Sequence, residues 1–231
     1  MAFFLEGLTD AVQALLRLDP QVYAAAWRSV WVSSLALLLA GSVGVPVGIA
    51  LARMSGPRAR LLVIAIRASM ALPTVFIGIL CYGLFSRRGP LGPFDLLYTP
   101  WAIVIGELLL ALPILIALTH GAIAALDPRV AETLTTLGVS RWQRCRTYVS
   151  EARRGIVVAV LSAYARCVTE LGIAIIVGGN IKGRTRTLAT ATAMETGMGE
   201  FGRGLAMGLL LLLTALAISF AIGFLSREER T

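Results

Sequence analysis

An all-α membrane protein is the fold class this sequence predicts, and three observations carry it. Of the 231 residues, 57% are apolar and only 15% are charged, and the mean hydropathy is +0.81, a balance outside the range of soluble domains. The apolar residues gather into blocks long enough for a helix to cross roughly 30 Å of hydrocarbon. Within the blocks no alternation of apolar and polar residues supports barrel strands, so the backbone must satisfy itself as helices.

Residues 1–22 read differently from the rest. Phe4, Leu8, Val12 and Leu15 recur at helical spacing while Glu6, Asp10 and Arg17 interrupt them. The pattern predicts an interfacial amphipathic helix lying on the membrane surface. Asp19-Pro20 is a stop followed by a new helix start. The opening lacks basic residues and a small-residue cleavage site, so it makes a poor signal peptide.

Five spans follow, over 27–52, 61–86, 101–126, 156–177 and 204–225. Charges inside them are few: Arg28, Arg67, Glu107, and the pair Arg166 and Glu170. Arg67 and Glu107 are placed toward span ends, where a long side chain can snorkel, and carry no assigned role. Arg166 and Glu170 are four residues apart in the fourth span, so they either neutralise each other or gate a path. Pro46, Pro73 and Pro113 each remove a helical hydrogen bond within a span, which serves a moving pathway or ordinary packing.

Between the third and fourth spans, residues 127–155 form a polar, basic island with its own helix grammar. Asp127 caps a helix that Pro128 begins, and Val130, Leu134 and Leu137 share one face. Gly138 closes that helix and Ser140 caps the next, whose apolar stripe is Trp142, Cys145, Val149 and Ala152. Six arginines lie in this island. It reads as a bent docking handle, or as a loop whose arginines meet anionic lipid.

Residues 178–203 are expected to form the loop at the opposite end. Its first part, Gly178 to Thr187, offers glycines for close backbone approach, Asn180 and threonines for hydrogen bonding, and a positive field from Lys182, Arg184 and Arg186. That composition would attract a tetrahedral oxyanion; the bland alternative is a solvated turn. Eleven Lys and Arg flank the ends that share the handle's side, against eight on the other, so the handle is placed in the cytoplasm, the N-terminus outside and the C-terminus inside.

Several chemistries are disfavoured. Cys81, Cys145 and Cys167 are widely spaced and His120 is the only histidine, so neither a disulfide framework nor a multi-histidine metal site is expected. No cofactor and no nucleic-acid partner is expected. A single lysine, Lys182, precedes Gly183 and not Ser or Thr, so the chain holds no Walker A phosphate loop. Membrane-enzyme chemistry would rest on Glu107, Glu170 or His120 without a nucleophile–base pair at telling spacing. A subunit that binds a partner through the handle but moves no solute is the remaining alternative.

Glu132, five intervening positions and Gly138 resemble the coupling-loop motif of ABC importer permeases, usually Glu-Ala-Ala, three residues, Gly, then Ile-x-Leu-Pro. This chain departs from it with Thr133 and Leu134 in place of alanines, and with Tyr148, Ser150 and Glu151 where Ile, Leu and Pro are usual. Met70-Ala-Leu-Pro-Thr, Ser86-Arg-Arg-Gly-Pro-Leu-Gly92, Ser150-Glu-Ala-Arg-Arg-Gly155, the 177–187 block and Glu195-Thr-Gly-Met-Gly-Glu-Phe201 are similar to permeases of tungstate-type importers. Molybdate permeases share a looser version, chiefly Glu170-Leu-Gly and Gly179-Asn.

The resemblance implies a type I importer (MetI-like) fold with a cytoplasmic coupling helix, in a prokaryotic cytoplasmic membrane. It implies a homodimer that passes an oxyanion, served by cytoplasmic ABC ATPase subunits and an extracytoplasmic substrate-binding protein. Glu132, Gly138, Trp142, Arg144 and Glu151 are then the expected coupling residues. Arg166, Glu170, Gly179, Asn180, Lys182, Arg184 and Arg186 are the expected pathway or gate.

Overall fold

The protein is described by a computed structural model covering residues 2–227. Its helices in chain order are α1 (Ala2–Leu16), α2 (Pro20–Ala52), α3 (Pro57–Ser69), α4 (Thr74–Phe85), α5 (Pro100–Ala124), α6 (Pro128–Thr136), α7 (Arg141–Glu151), α8 (Arg153–Val168), α9 (Gly172–Gly178), α10 (Leu188–Gly197) and α11 (Phe201–Arg227). A 3₁₀ turn, Gly92–Phe94, precedes α5. Arg230, counted above with the basic C-terminus, lies outside the described residues, as do the side chains of Phe4, Glu6, Asp10 and Arg227.

Among the described residues, only α2, α5 and residues 201–221 of α11 are single helices long and apolar enough to cross a membrane. The expected second and fourth spans are instead broken pairs: α3 and α4 meet at 94°, α8 and α9 at 55°. Both breaks have local causes. Pro73 lacks an N–H and pushes the residue before it out of the helical region, so α3 ends and α4 starts anew with Pro73 as its N-cap. At the second break the Glu170 carboxylate accepts the N–H of Ile173 at 3.1 Å, starting α9 with a side chain where α8 has run out of carbonyl partners. Pro46 and Pro113, by contrast, sit inside unbroken α2 and α5.

The core is a column of apolar layers. Val22, Ala25, Leu188, Ala191 and Met207 close the end remote from the handle. Next to them Val32, Ile77, Phe85, Ile103, Ile173 and Val177 join α2, α4, α5 and α9. Ala40, Ala111, Leu115, Ala159 and Ala163 pack the middle with small residues. Ile49, Ile123, Leu134, Tyr148 and Ile156 form the layer that seats the handle.

The most extensive helix pair, α2 with α5, approaches closely because α2 presents Gly44 and Gly48, four apart on one face. A Cβ at Gly48 would stand 2.8 Å from Thr119 Cβ and 2.9 Å from the Ile116 carbonyl oxygen. Gly41 on the same helix has open space around it. Gly48→Leu is therefore expected to reduce the folded, detergent-extractable protein by roughly tenfold or more, since overpacking costs about 1–3 kcal/mol. Gly41→Leu should leave it unchanged; equal yields from both variants in size-exclusion profiles would refute the close crossing.

Helix α1 packs along α11. Gly7 and Ala11 face inward, and a Cβ at Gly7 would run into the Phe201 ring. Leu8, Val12 and Leu16 point outward. Asp19 ends the turn by accepting the N–H of Gln21 at 2.8 Å and starts α2.

Candidate functional site

The handle is two short helices with strong ends. The Asp127 carboxylate accepts the N–H of Arg129 at 2.8 Å. Ser140 and Gln143 form a reciprocal capping box, with Ser140 N–H donating to Gln143 Oε1 at 3.0 Å and Gln143 N–H to Ser140 Oγ at 3.3 Å. Between the two helices Gly138 takes φ +58°, the left-handed conformation that a Cβ disfavours. One charged donor ties them further: Arg144 gives an N–H to the Leu134 carbonyl at 3.4 Å.

Leu134 and Tyr148 are the side chains that bury the handle, packed on Ile49 at the end of α2 and Ile123 at the end of α5. The Arg53 guanidinium lies 5.8 Å from the Tyr148 ring centroid, within cation–π range. The predicted stripe is therefore turned: Trp142 is 77% exposed and Leu137 68%, so both point away from the bundle with Glu132 and Glu151 also exposed. Tyr148 was missed because the periodicity was anchored on Trp142; the signal for it was a large aromatic four residues before the small, buried Ala152.

Beside the handle opens a cavity of about 960 Å³, lined by Arg67, Met70, Gly121, Glu151, Arg154 and Gly155 among others. Arg67 is exposed at its edge, at the end of α3. His120 keeps a buried Nδ1 with no partner among the described residues.

Of the expected pathway residues, only Arg166 and Glu170 pair with each other. The Arg166 guanidinium donates to Glu170 Oε2 at 2.8 Å, with the arginine side chain 42% exposed and the glutamate 1%. The acid half is locked in the break between α8 and α9 while the basic half reaches the surface. Glu107 does not snorkel toward a span end, contrary to what its place in the sequence suggested. It is buried inside α5, against Cys167, whose thiol donates to the Glu107 backbone carbonyl at 3.8 Å.

At the remote end, Gly179, Asn180 and Gly183 all take positive φ, of +70°, +50° and +75°, and Tyr98 lies against Gly179. The turn is held from within: Thr185 donates to the Gly178 carbonyl at 2.6 Å and accepts the N–H of Ile181 at 2.9 Å. Asn180 Oδ1 is buried without a partner among the described residues. Lys182 and Arg184 are exposed. Arg184 lines an outer cavity of about 560 Å³ with Tyr82, Arg87, Asp95 and Tyr98. The neighbouring Tyr82 hydroxyl pushes the Tyr98 hydroxyl above its usual range.

Arg186 does not join that outer field. It is buried and donates to Glu195 Oε1 at 2.6 Å, while its own carbonyl accepts from Arg28 of α2 at 2.9 Å. Segment 178–203 is thus not a loop throughout: a Thr187–Thr190 capping box starts α10, and Leu188 N–H donates to Ser29 of α2 at 2.8 Å. Charge counting hid this helix, because three basic residues upstream marked the whole stretch as exposed. Glu195, the acid in its otherwise apolar and small sequence, was the available sign.

Residues 44–231 match the family described as binding-protein-dependent transport system inner membrane component. The chain is 35% identical over 228 residues to the tungstate uptake system permease protein TupB of Peptoclostridium acidaminophilum, covering 99% of this chain and 100% of that one. It is 30% identical over 225 residues to the molybdenum transport system permease protein ModB of Escherichia coli K12, covering 91% of this chain and 97% of that one. In fold it matches a chain of the MetNI methionine ABC transporter in an inward-facing conformation, with a TM-score of 0.72 at 16% identity over 91% of this chain and 98% of that one.

Proposed function

The chain belongs to the binding-protein-dependent transport system inner membrane component family, and from that membership we propose that it is the permease subunit of an ATP-driven oxyanion importer. The cargo is tungstate, with molybdate second. The observation that carries the transport reading is the handle, whose inner face is packed onto the ends of α2 and α5 while Glu132, Leu137 and Trp142 face outward. An exposed tryptophan on a doubly capped, bent helix pair fits a groove on a partner protein better than a solvated turn. Full-length similarity to a tungstate permease supports the cargo.

In this reading the handle is the coupling helix, seated in a cytoplasmic ATPase subunit, with Glu132, Gly138, Trp142, Arg144 and Glu151 at or behind the contact. The N-terminus is outside and the C-terminus in the cytoplasm. Two copies form the path, and an external binding protein delivers the anion to the remote end, where Gly179, Asn180, Lys182 and Arg184 stand. Arg166 offers the exposed cation of the mid-bundle path and Glu170 holds it in place. Arg186 serves that path from behind, as a strut.

Energy input follows from the charge of the cargo. A dianion entering an interior-negative cell meets about 2.3 kcal/mol per charge per 100 mV. A separate ATPase supplies it. Proteoliposomes holding this chain, its ATPase and its binding protein are expected to accumulate tungstate only with ATP on the handle side. Accumulation without ATP would overturn the importer reading, and molybdate entering in preference to tungstate would overturn the order of cargoes.

A further inference from the structure

At the remote end, three segments far apart in the sequence bring polar side chains to one hollow of about 560 Å³. Tyr82, Ser86 and Arg87 come from the end of α4 and the turn after it, Asp95 and Tyr98 from the stretch that leads into α5, and Arg184 from the turn after α9. Two guanidiniums share the lining with one carboxylate, which leaves it with one positive charge in excess. Among the described residues neither Arg87 nor Arg184 makes an ion pair, and both are exposed. Their charge is not consumed by the fold, unlike that of Arg186, which Glu195 takes.

The backbone beneath these side chains is held in an uncommon form. Of the four described non-glycine residues with positive φ, Asp95 at +47° and Tyr98 at +61° line the hollow, and Asn180 follows the glycine on which Tyr98 rests. For a bulky residue that region is an outlier, and it persists only where the surroundings over-determine it. Here they do. Tyr98 N–H donates to the Val177 carbonyl at 2.8 Å, and a Cβ at Gly179 would stand 2.7 Å from the Tyr98 ring. On the other wall a Cβ at Gly92 would stand 2.7 Å from the Ser86 carbonyl oxygen and 2.8 Å from that of Arg87, so this turn is pressed closed as well. A solvated turn has no need of a tyrosine held at positive φ.

The chemistry of the lining selects its ligand. Guanidinium groups donate paired N–H bonds to the oxygens of an oxyanion, and serine and tyrosine hydroxyls can donate to the same oxygens. A tetrahedral dianion offers acceptors on every side. The hollow is far larger than one four-oxygen anion, so the anion keeps part of its water, and the Asp95 carboxylate opposes it. Binding is therefore weak by construction, which suits a station that must release what it receives. We propose that the hollow between Arg87, Tyr98 and Arg184 is a relay site for a hydrated tetrahedral oxyanion at the mouth of the path, with Asp95 as the built-in competitor that keeps the anion loosely held. The choice of tungstate as that anion, and the place of the site in transport, rest on the importer reading; the anion site itself does not.

The test uses the complex of this chain with its ATPase, free of nucleotide and of binding protein, dialysed against sodium tungstate, with the retained tungsten counted per complex. Tungstate is expected to bind the parent, and to bind Arg87→Gln and Arg184→Gln about tenfold more weakly through loss of a charged hydrogen bond. Asp95→Asn is expected to bind it about threefold more tightly, because a like charge is removed; asparagine tolerates positive φ, so the turn is kept. Arg88→Gln should match the parent, since Arg88 is exposed but does not line the hollow. Uptake by the same variants, measured against the concentration of loaded binding protein, separates a relay from a docking surface for that protein. Loss of a relay lowers the maximal rate and leaves the half-saturating concentration in place, whereas loss of a docking contact raises that concentration. No tungstate binding in the parent, binding unaltered in both arginine variants, weaker binding in Asp95→Asn, or a change confined to the half-saturating concentration would overturn the proposal. If the parent binds as expected but the reconstituted system takes up no tungstate, the importer reading fails and the anion site stands.

Discussion

Replacing Arg186 by glutamate is expected to remove nearly all folded protein from the membrane, and the exchanged pair Arg186→Glu with Glu195→Arg is expected to restore a measurable part of it. The reason is the depth of the contact: arginine and glutamate side chains are 6% and 1% exposed and 2.6 Å apart. Breaking such a pair by losing one partner costs about 3–5 kcal/mol, because a buried charge is stranded. Reversal adds repulsion to that loss. The measurement is the amount of monodisperse protein extracted from membranes, parent against single and double variants. Had Arg186 belonged to an exposed field, the single variant would insert and extract normally and lose only uptake; that result would refute the strut.

Valine at position 138 is expected to leave the protein inserted and extractable but to cut uptake by roughly tenfold or more. A Cβ at Gly138 meets no neighbouring atom within 4 Å, so crowding is not the cause. The cost comes from φ +58°, a region that strains a β-branched residue by about 1–3 kcal/mol. The strain is relieved by opening the angle between α6 and α7, which moves Trp142 relative to Leu134. ATP hydrolysis by the assembled complex should persist while transport is lost, and Glu132→Ala should behave alike if the coupling assignment holds. Normal tungstate uptake in the valine variant would refute that assignment.

Much of this architecture was legible because its physics is one-dimensional. Long apolar blocks give the helices, and Asp127-Pro128, Gly138 and Ser140 give the start, break and restart of the handle within a residue or two. What was illegible depends on direction. A window average cannot tell a straight span from α3 and α4 meeting at 94°, and Pro73 carries the same weight in the sequence as Pro46, which bends nothing so sharply. The difference lies in packing: Pro46 stands between two glycines pressed against α5, whereas Pro73 begins a helix of its own.

The site divides in the same way. Arg166 and Glu170 were readable as a pair because four residues on a helix bring side chains together. Which of them is buried was not, since that is set by the break and by Ile173. Lys182, Arg184 and Arg186 alternate evenly in the sequence, yet Thr185 and Glu195 draw the last of them inward. Glu107 looked like a snorkelling residue because its sequence neighbours are apolar; Cys167, whose thiol bonds its backbone carbonyl, comes from another helix.

The close contact of Gly44 and Gly48 with Leu115 and Thr119 lies on the same halves of α2 and α5 that carry Ile49 and Ile123 under the handle. Slippage between these two rods is blocked there by touching backbones. A push delivered at Tyr148 would therefore find no slip plane between α2 and α5 in which to dissipate. The corners at 70–73 and 169–171, where the ladder of peptide hydrogen bonds is interrupted, are instead where rotation costs least.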